Sequence, residues 1–145
     1  MPAALYTRDI LRLAASIPHA KRLERAQATV EKSSPICGSR VVVDLVLDAE
    51  RRVAMLGQEV RACALGQASA SLMGAHAIGR AAAELAEARD MLAAYLAGTR
   101  ADPGGWPGLI VFADARRFTA RHPSILLAFE AVAEAAARAA RADAA

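Results

Sequence analysis

The sequence has 145 residues, which suits one domain of ordinary size that buries a core without disulfide or metal staples. Apolar residues make up 55% of the chain and aromatic residues only 4%, and alanine is abundant, so helices are expected to dominate. The formal net charge of +3 comes from arginines scattered among 15 acidic residues, a pattern that gives little support to nucleic-acid binding.

The first half of the chain predicts one helix followed by a small sheet. Apolar periodicity over residues 4–17 indicates a helix, and residues 18–36 are interpreted as a loop. Alternating apolar residues predict a half-buried strand over residues 40–48, and residues 52–62 suit an antiparallel return. Because an isolated hairpin is marginal in water, a third strand is expected between Arg22 and Val30.

The second half predicts three helices. Small residues at helical spacing indicate a helix that begins after Cys63 and ends at Gly79. The next helix has Gly98 just past its last turn as a stop signal. A loop rich in glycine and proline follows, and the last helix has Pro123 in its first turn and is expected to fray from about residue 138.

These elements predict an α+β fold in a single domain over residues 1–145, with a small antiparallel sheet of about three strands packed by helices. The one candidate for a membrane helix is residues 62–79, which carry no charged side chain. Gln67, His76 and two serines make this segment too polar for lipid, so a buried helix is expected instead.

The chain has two cysteines, Cys37 and Cys63. Its first residues lack the basic, apolar and small-residue pattern of a secretory signal, so a cytoplasmic, reducing location is expected. In that setting a pair of cysteines more often binds metal or reacts than forms a structural disulfide.

Three segments carry a resemblance to a known family: PICGSRVVVDLVLD, ACALGQASASLM and RRFTARHPSILLAFEAV. In this order and spacing they resemble the iron-sulfur cluster assembly scaffold family of the IscU, SufU and NifU N-terminal type, over nearly the whole chain. The most specific features are the Cys-Gly pair before a strand and the run Cys-x-x-x-Gln-Ala-Ser-Ala-Ser-x-Met. The resemblance implies a SufE/NifU-like domain that is not an enzyme, holds a nascent iron-sulfur cluster or zinc, and passes it to client proteins.

The resemblance also implies a ligand set of three cysteines and an aspartate, of which this chain keeps two. Cys37 and Cys63 match the family's first and second cysteines. Ser39 stands where the family has aspartate, and Ser124 falls on the third cysteine in an ungapped match to Arg-x-x-Cys-x-x-Leu-Ala. Metal binding is therefore assigned to Cys37 and Cys63, with Ser39, Ser124 and His122 as candidate helpers.

Chemistry predicts that such a site is weak. A serine hydroxyl is a harder and less acidic donor than a soft thiolate. Cys63 lies at the predicted N-terminus of a helix, which favours its thiolate form. His122 is the nearby side chain that could replace a lost ligand, because neutral imidazole suits both zinc and iron. If Cys37 and Cys63 share a metal, their α-carbons should lie within about 12 Å of each other.

Each candidate also has an ordinary structural interpretation. Cys63 could be a small buried hydrophobe, Ser124 a helix-capping serine, and His122 a solvated loop histidine. His76 fits a core or boundary position better than a ligand position. The arginines within residues 116–121 form either a docking patch or a solvated basic turn.

Three functions therefore remain open. The first is a scaffold or sulfur acceptor that holds metal or sulfur on Cys37 and Cys63 for transfer to clients. The second is a degenerate family member that no longer binds metal and acts as an interaction module for an assembly partner. The third is a dithiol redox protein in which the two thiols alternately form a disulfide. The resemblance implies a cysteine desulfurase and cluster-accepting proteins as partners; neither nucleic acid nor membrane is expected, and a homo-oligomer is allowed.

Overall fold

The computed structural model of the chain describes residues 5–35 and 38–144. In chain order the elements are α1 (Arg8–Ala14), β1 (Ala28–Ser34), β2 (Ser39–Leu47), β3 (Val53–Arg61), α2 (Ala64–His76), α3 (Ala82–Ala97), two 3-10 helices (Leu109–Arg117 and Thr119–Arg121) and α4 (His122–Ala144). The strands form one antiparallel sheet in the order β1-β2-β3. The predicted α+β architecture is therefore confirmed.

The central strand β2 is buried on both faces. Val43 and Leu45 on one face have no exposed surface, and Asp44 on the other face is equally buried. The segment after α1 covers the face that carries Asp44, because the Leu23 amide donates to the Asp44 carboxylate at 2.9 Å. The prediction of a half-buried strand is therefore wrong: the apolar alternation is real, but a loop covers the polar face.

The third strand of the sheet exists, but it is β1, and it begins and ends later than the predicted range between Arg22 and Val30. Arg22 instead binds Asp44 through its side chain, in the segment before the strand. β1 lies at an edge of the sheet, and Val30 and Ser34 are its buried residues. A polar edge strand with a single buried aliphatic residue lacks the apolar alternation by which a strand is predicted.

The helices agree with the sequence prediction more closely than the strands do. α1 begins later than predicted, because Thr7 caps its start by accepting a hydrogen bond from the Ile10 amide at 3.3 Å, and it ends at Ala14, earlier than predicted. α2 begins after Cys63 as predicted and ends at His76, earlier than expected. α3 ends at Gly98, whose φ of 86° is the left-handed conformation that glycine adopts readily.

α4 is the helix on which the rest of the fold packs. It contacts β1, β2, α2 and α3, and Phe129 and Val132 on it are completely buried. The helix continues to Ala144, and the fraying expected from about residue 138 stays a prediction. No helix within residues 5–35 and 38–144 combines the length and apolar character needed to cross a membrane.

Between α2 and α4 a buried hydrogen bond fixes the relative position of the two helices. The Ser69 hydroxyl donates to the backbone carbonyl of Ile125 at 2.5 Å, and the serine side chain is fully buried. This carbonyl belongs to the first turn of α4. The contact joins the second turn of α2 to the first turn of α4.

Candidate functional site

Three segment ends converge at one point of the fold. Ser39 begins β2, Cys63 precedes α2, and Ser124 lies in the first turn of α4. The Ser39 and Ser124 hydroxyl oxygens are 2.9 Å apart, and the Cys63 sulfur lies 3.3 Å from the Ser124 oxygen. The structure thus brings together three of the five residues named from the sequence, across 85 positions of chain between the two serines.

Cys63 is a free thiol at the N-cap of α2. It is half-buried, its backbone is extended (φ −66°, ψ 171°), and its side chain makes no capping hydrogen bond. The first turn of α2 contains no acidic residue. A negative charge on this sulfur would therefore lie at the positive end of the helix dipole with no carboxylate in the same turn to oppose it.

Ser124 is the central member of the group. Its side chain is 1% exposed and that of Ser39 is 2% exposed, so both hydroxyls are withdrawn from water. Each hydroxyl carries one proton, so Ser124 can donate to only one of its two partners and must accept from the other. Within the described part of the chain its hydroxyl bonds to these two side chains and not to a helix amide.

Close approach of α2 to Ser124 depends on Gly66. A β-carbon at this position would lie 2.8 Å from the Ser124 hydroxyl oxygen and 2.7 Å from the β-carbon of Ala62. Real β-carbons essentially never approach other atoms so closely, so a side chain here would force the helix ends apart. Gly66 was not singled out from the sequence, although a glycine in the first turn of a predicted helix is a signal for such packing.

We expect Gly66→Ala to lower the free energy of unfolding by about 1–3 kcal/mol, as overpacking of a buried site typically does. Alanine favours a helix over glycine by about 1 kcal/mol, so any net loss reports the steric conflict at Ser124. Urea unfolding would measure it. Gly105→Ala is the matched control, because a β-carbon there meets nothing within 4 Å. A Gly66→Ala protein as stable as the wild type would contradict the close approach.

His122 lies at the start of α4, apart from the three-residue group. Its Nε2 is 3.0 Å from the carbonyl oxygen of Ala115, and since a carbonyl only accepts, Nε2 carries a proton. The half-buried side chain lines a groove with Ser34, Pro35 and Thr119. The imidazole bonds to neither Cys63 nor Ser124, so the structure does not join it to the group.

Cys37 lies outside the described residues, so its distance from Cys63 stays a prediction. Within residues 5–35 and 38–144 no three histidine, cysteine, aspartate or glutamate side chains lie close enough to hold a metal ion. The described donors are one thiol and two neutral hydroxyls that bond to each other. This donor set alone does not fit a stable zinc ion or iron-sulfur cluster, which call for several thiolates or imidazoles.

The other residues discussed from the sequence lie elsewhere. His76 packs edge-on against Trp106 with ring centroids 6.3 Å apart, as a boundary histidine would. Arg116 donates to the carbonyls of Tyr95 and Arg100, and its guanidinium stacks 4.2 Å from the centre of the Tyr95 ring. Arg116 is therefore a packing residue, which leaves a smaller basic surface than the three arginines suggested.

Comparison with known proteins finds matches among solved structures. No family model matches the sequence, and no curated protein sequence matches it. Among solved structures the chain is similar to a NifU-like protein (N-terminal) from Brucella abortus, with 35% sequence identity, a TM-score of 0.90 and 97% of each chain covered. It also shares the fold of a protein assigned as an iron-sulfur cluster assembly scaffold of the SUF system from Fervidobacterium islandicum, at 22% identity, a TM-score of 0.84, and coverage of 91% of this chain and 96% of that one.

Proposed function

Because the chain belongs to the NifU-like family of iron-sulfur cluster assembly scaffold proteins, we propose that it accepts sulfur or a metal ion on Cys63 and Cys37 and passes it to client proteins. One observation carries the proposal: Cys63 is a free, half-buried thiol in contact with Ser124, at the point where Ser39 also lies. The cargo is held briefly, because hydroxyls stand at two of the positions where the family has an aspartate and a cysteine.

A sulfur-accepting step needs only one thiol. The Cys63 thiolate attacks the outer sulfur of a donor persulfide, the sulfur-sulfur bond of the donor breaks, and the donor cysteine leaves as a thiolate. Cys63 then carries the persulfide. The helix N-terminus favours the negative charge on both the attacking thiolate and the bound persulfide.

The partners in this proposal are a cysteine desulfurase as the sulfur source and cluster-accepting proteins as clients. The family is one of scaffolds and not of enzymes, in agreement with the expectation that the chain has no enzymatic activity of its own. A single domain, a cytoplasmic location and the absence of nucleic-acid and membrane partners stay predictions. Association into a homo-oligomer is open to measurement by light scattering.

We expect the protein purified without oxygen to contain well under one equivalent of iron, zinc or acid-labile sulfide, and to lose it readily to a chelator. Metal affinity rises with the number of ligands and requires that they be deprotonated. A serine hydroxyl stays protonated and is a weak ligand, so the two serines add little affinity. Metal and sulfide analysis of the wild type beside Cys63→Ser and Cys37→Ser checks this. A tightly held, stoichiometric metal would contradict the expectation, and His122 would then be the first additional ligand to replace.

Sulfur acceptance is tested with a cysteine desulfurase and cysteine under anaerobic conditions. Mass spectrometry of the intact protein and its peptides should find a gain of one sulfur atom at Cys63 in the wild type and none at this position in Cys63→Ser. Lack of any sulfur adduct on either cysteine, together with lack of metal, would rule out the proposed function.

A second function is favoured by the donor set itself. With no three strong ligands gathered within the described ranges, the fold could serve as an interaction module that engages a desulfurase without carrying cargo. In that case Cys63→Ser would bind the desulfurase as tightly as the wild type. Titration calorimetry of both proteins, beside the sulfur-loading assay, separates the two functions.

A further inference from the structure

We propose that the hydrogen bond between Ser39 and Ser124, extended to Cys63, replaces a shared metal as the tie that holds the starts of β2, α4 and α2 together. The inference goes beyond the proposed function and does not rest on it, because it concerns how the site is held in place and not what Cys63 carries.

The first support is the position of the hydroxyls. A metal bound by the family's ligand set would join residues at positions 37, 39, 63 and 124, and the hydrogen bonds here join the last three of these side chains. Ser39 and Ser124 are far apart in the chain and lie in different elements. Their direct bond therefore links the sheet to α4, and the contact with Cys63 adds α2.

The second support is burial. Both hydroxyls are almost completely withdrawn from water, and a buried hydroxyl is costly to leave without a partner. The packing around them is close as well, since Gly66 leaves too little space for even a β-carbon next to the Ser124 oxygen. Separation of the three segments would break these bonds and expose a tightly packed contact, so the arrangement resists opening without any metal.

The third support is that hydrogen bonding and metal binding compete for the same side chains. A metal ion between these side chains would coordinate the oxygen and sulfur atoms that now contact one another, so its binding would break their hydrogen bonds. It would also need neutral hydroxyls to act as ligands, which zinc and iron rarely accept from serine. The hydrogen-bonded arrangement and strong metal binding are therefore alternatives at this site.

Thermal unfolding with and without a chelator tests the proposal. We expect EDTA to change the Tm of the wild type by less than about 1 °C, and Ser124→Ala and Ser39→Ala each to lower it by about 3–10 °C. The Tm of the double variant Ser39→Ala/Ser124→Ala should fall by less than the sum of the two single decreases, because both single changes remove the same hydrogen bond. Ser33→Ala, at an exposed position in β1, is the control and should leave the Tm unchanged.

Two results would overturn the proposal. A fall of several degrees in the wild-type Tm on addition of EDTA would show that a metal holds the segments together. Additive losses in the double variant would show that the two hydroxyls do not support each other. Neither result depends on whether Cys63 accepts sulfur, so failure of this proposal and failure of the proposed function are distinguishable.

Discussion

The double variant Ser39→Asp/Ser124→Cys should hold zinc or a cluster stoichiometrically, where the wild type holds either poorly. Aspartate supplies an anionic oxygen in place of a neutral hydroxyl, and cysteine adds a soft thiolate next to Cys63. Loss of even an outer-shell partner changes metal affinity by 10–100-fold, so two restored ligands should raise zinc affinity by more than roughly 100-fold. Competition with a chromogenic chelator measures this directly.

The same variant should be less stable than the wild type when it is free of metal. Position 39 is almost fully buried, and a carboxylate there loses its hydration without a matching cation until metal is bound. Zinc should therefore raise its Tm sharply. The pair Ser39→Ala/Ser124→Ala is the control and should show neither zinc binding nor stabilisation. If the double variant gains no affinity, the ungapped match of Ser124 to the family's third cysteine is wrong.

Replacement of Asp44 by asparagine should destabilise the fold by about 2–3 kcal/mol, since a hydrogen bond to a charged group contributes about 1.5–3 kcal/mol and Asp44 accepts several. Arg22 Nε donates to it at 2.7 Å, the Thr29 hydroxyl at 2.5 Å and the Leu23 amide at 2.9 Å. Asparagine keeps the size of the side chain but offers one carbonyl oxygen to these donors. Arg22 is half-exposed and keeps part of its hydration, which limits the decrease in the free energy of unfolding.

Asp44 also predicts how stability depends on pH. Burial alone would raise the pKa of Asp44, but the hydrogen bonds from Arg22, Thr29 and Leu23 outweigh it and hold the pKa below its ordinary value. A depressed folded-state pKa gives stability that is fully present above the unfolded pKa of about 3.9 and is lost as the pH falls towards the folded value.

Urea unfolding at a series of pH values checks both expectations for Asp44. The wild type should lose stability as the pH falls from about 5 downward, and Asp44→Asn should lose less over the same range because it has no carboxylate to protonate. Asp114→Asn is the control, because the Asp114 side chain is exposed. Parallel pH profiles for the wild type and Asp44→Asn would contradict the role given to this carboxylate.

Periodicity predicts most of this fold, and the parts it misses have physical causes. α3 and β3 follow from their apolar patterns and from a glycine stop signal. The bounds of β1 could not be predicted, since Val30 is its one buried aliphatic residue and every position after Val30 is polar. The second face of β2 is buried because residues 22 and 23 lie against it, held by hydrogen bonds to Asp44. The segment that contains them has no apolar periodicity, so the sequence does not predict this contact.

The candidate site was predicted by motif and not by periodicity. The resemblance to the scaffold family singles out Ser39, Cys63 and Ser124, and the fold places Ser39 and Cys63 in contact with Ser124. The sequence does not reveal that the two serines bond to each other, because this depends on the angle at which α2 meets α4 and on the space left by Gly66. His122 was also named, but its ring is held by the carbonyl of Ala115, a contact that no local pattern predicts.

The bond from Ser69 to the carbonyl of Ile125 has a consequence for how such a protein diverges from its relatives. It aligns α2 with α4 one residue away from Ser124, and it uses a backbone acceptor that does not change when side chains are replaced. The geometry of the site is thus maintained by residues that take no part in its chemistry. Substitutions at positions 39 and 124 can alter what the site binds while the spacing persists, so a lineage can lose ligands without losing the arrangement from which they could be regained.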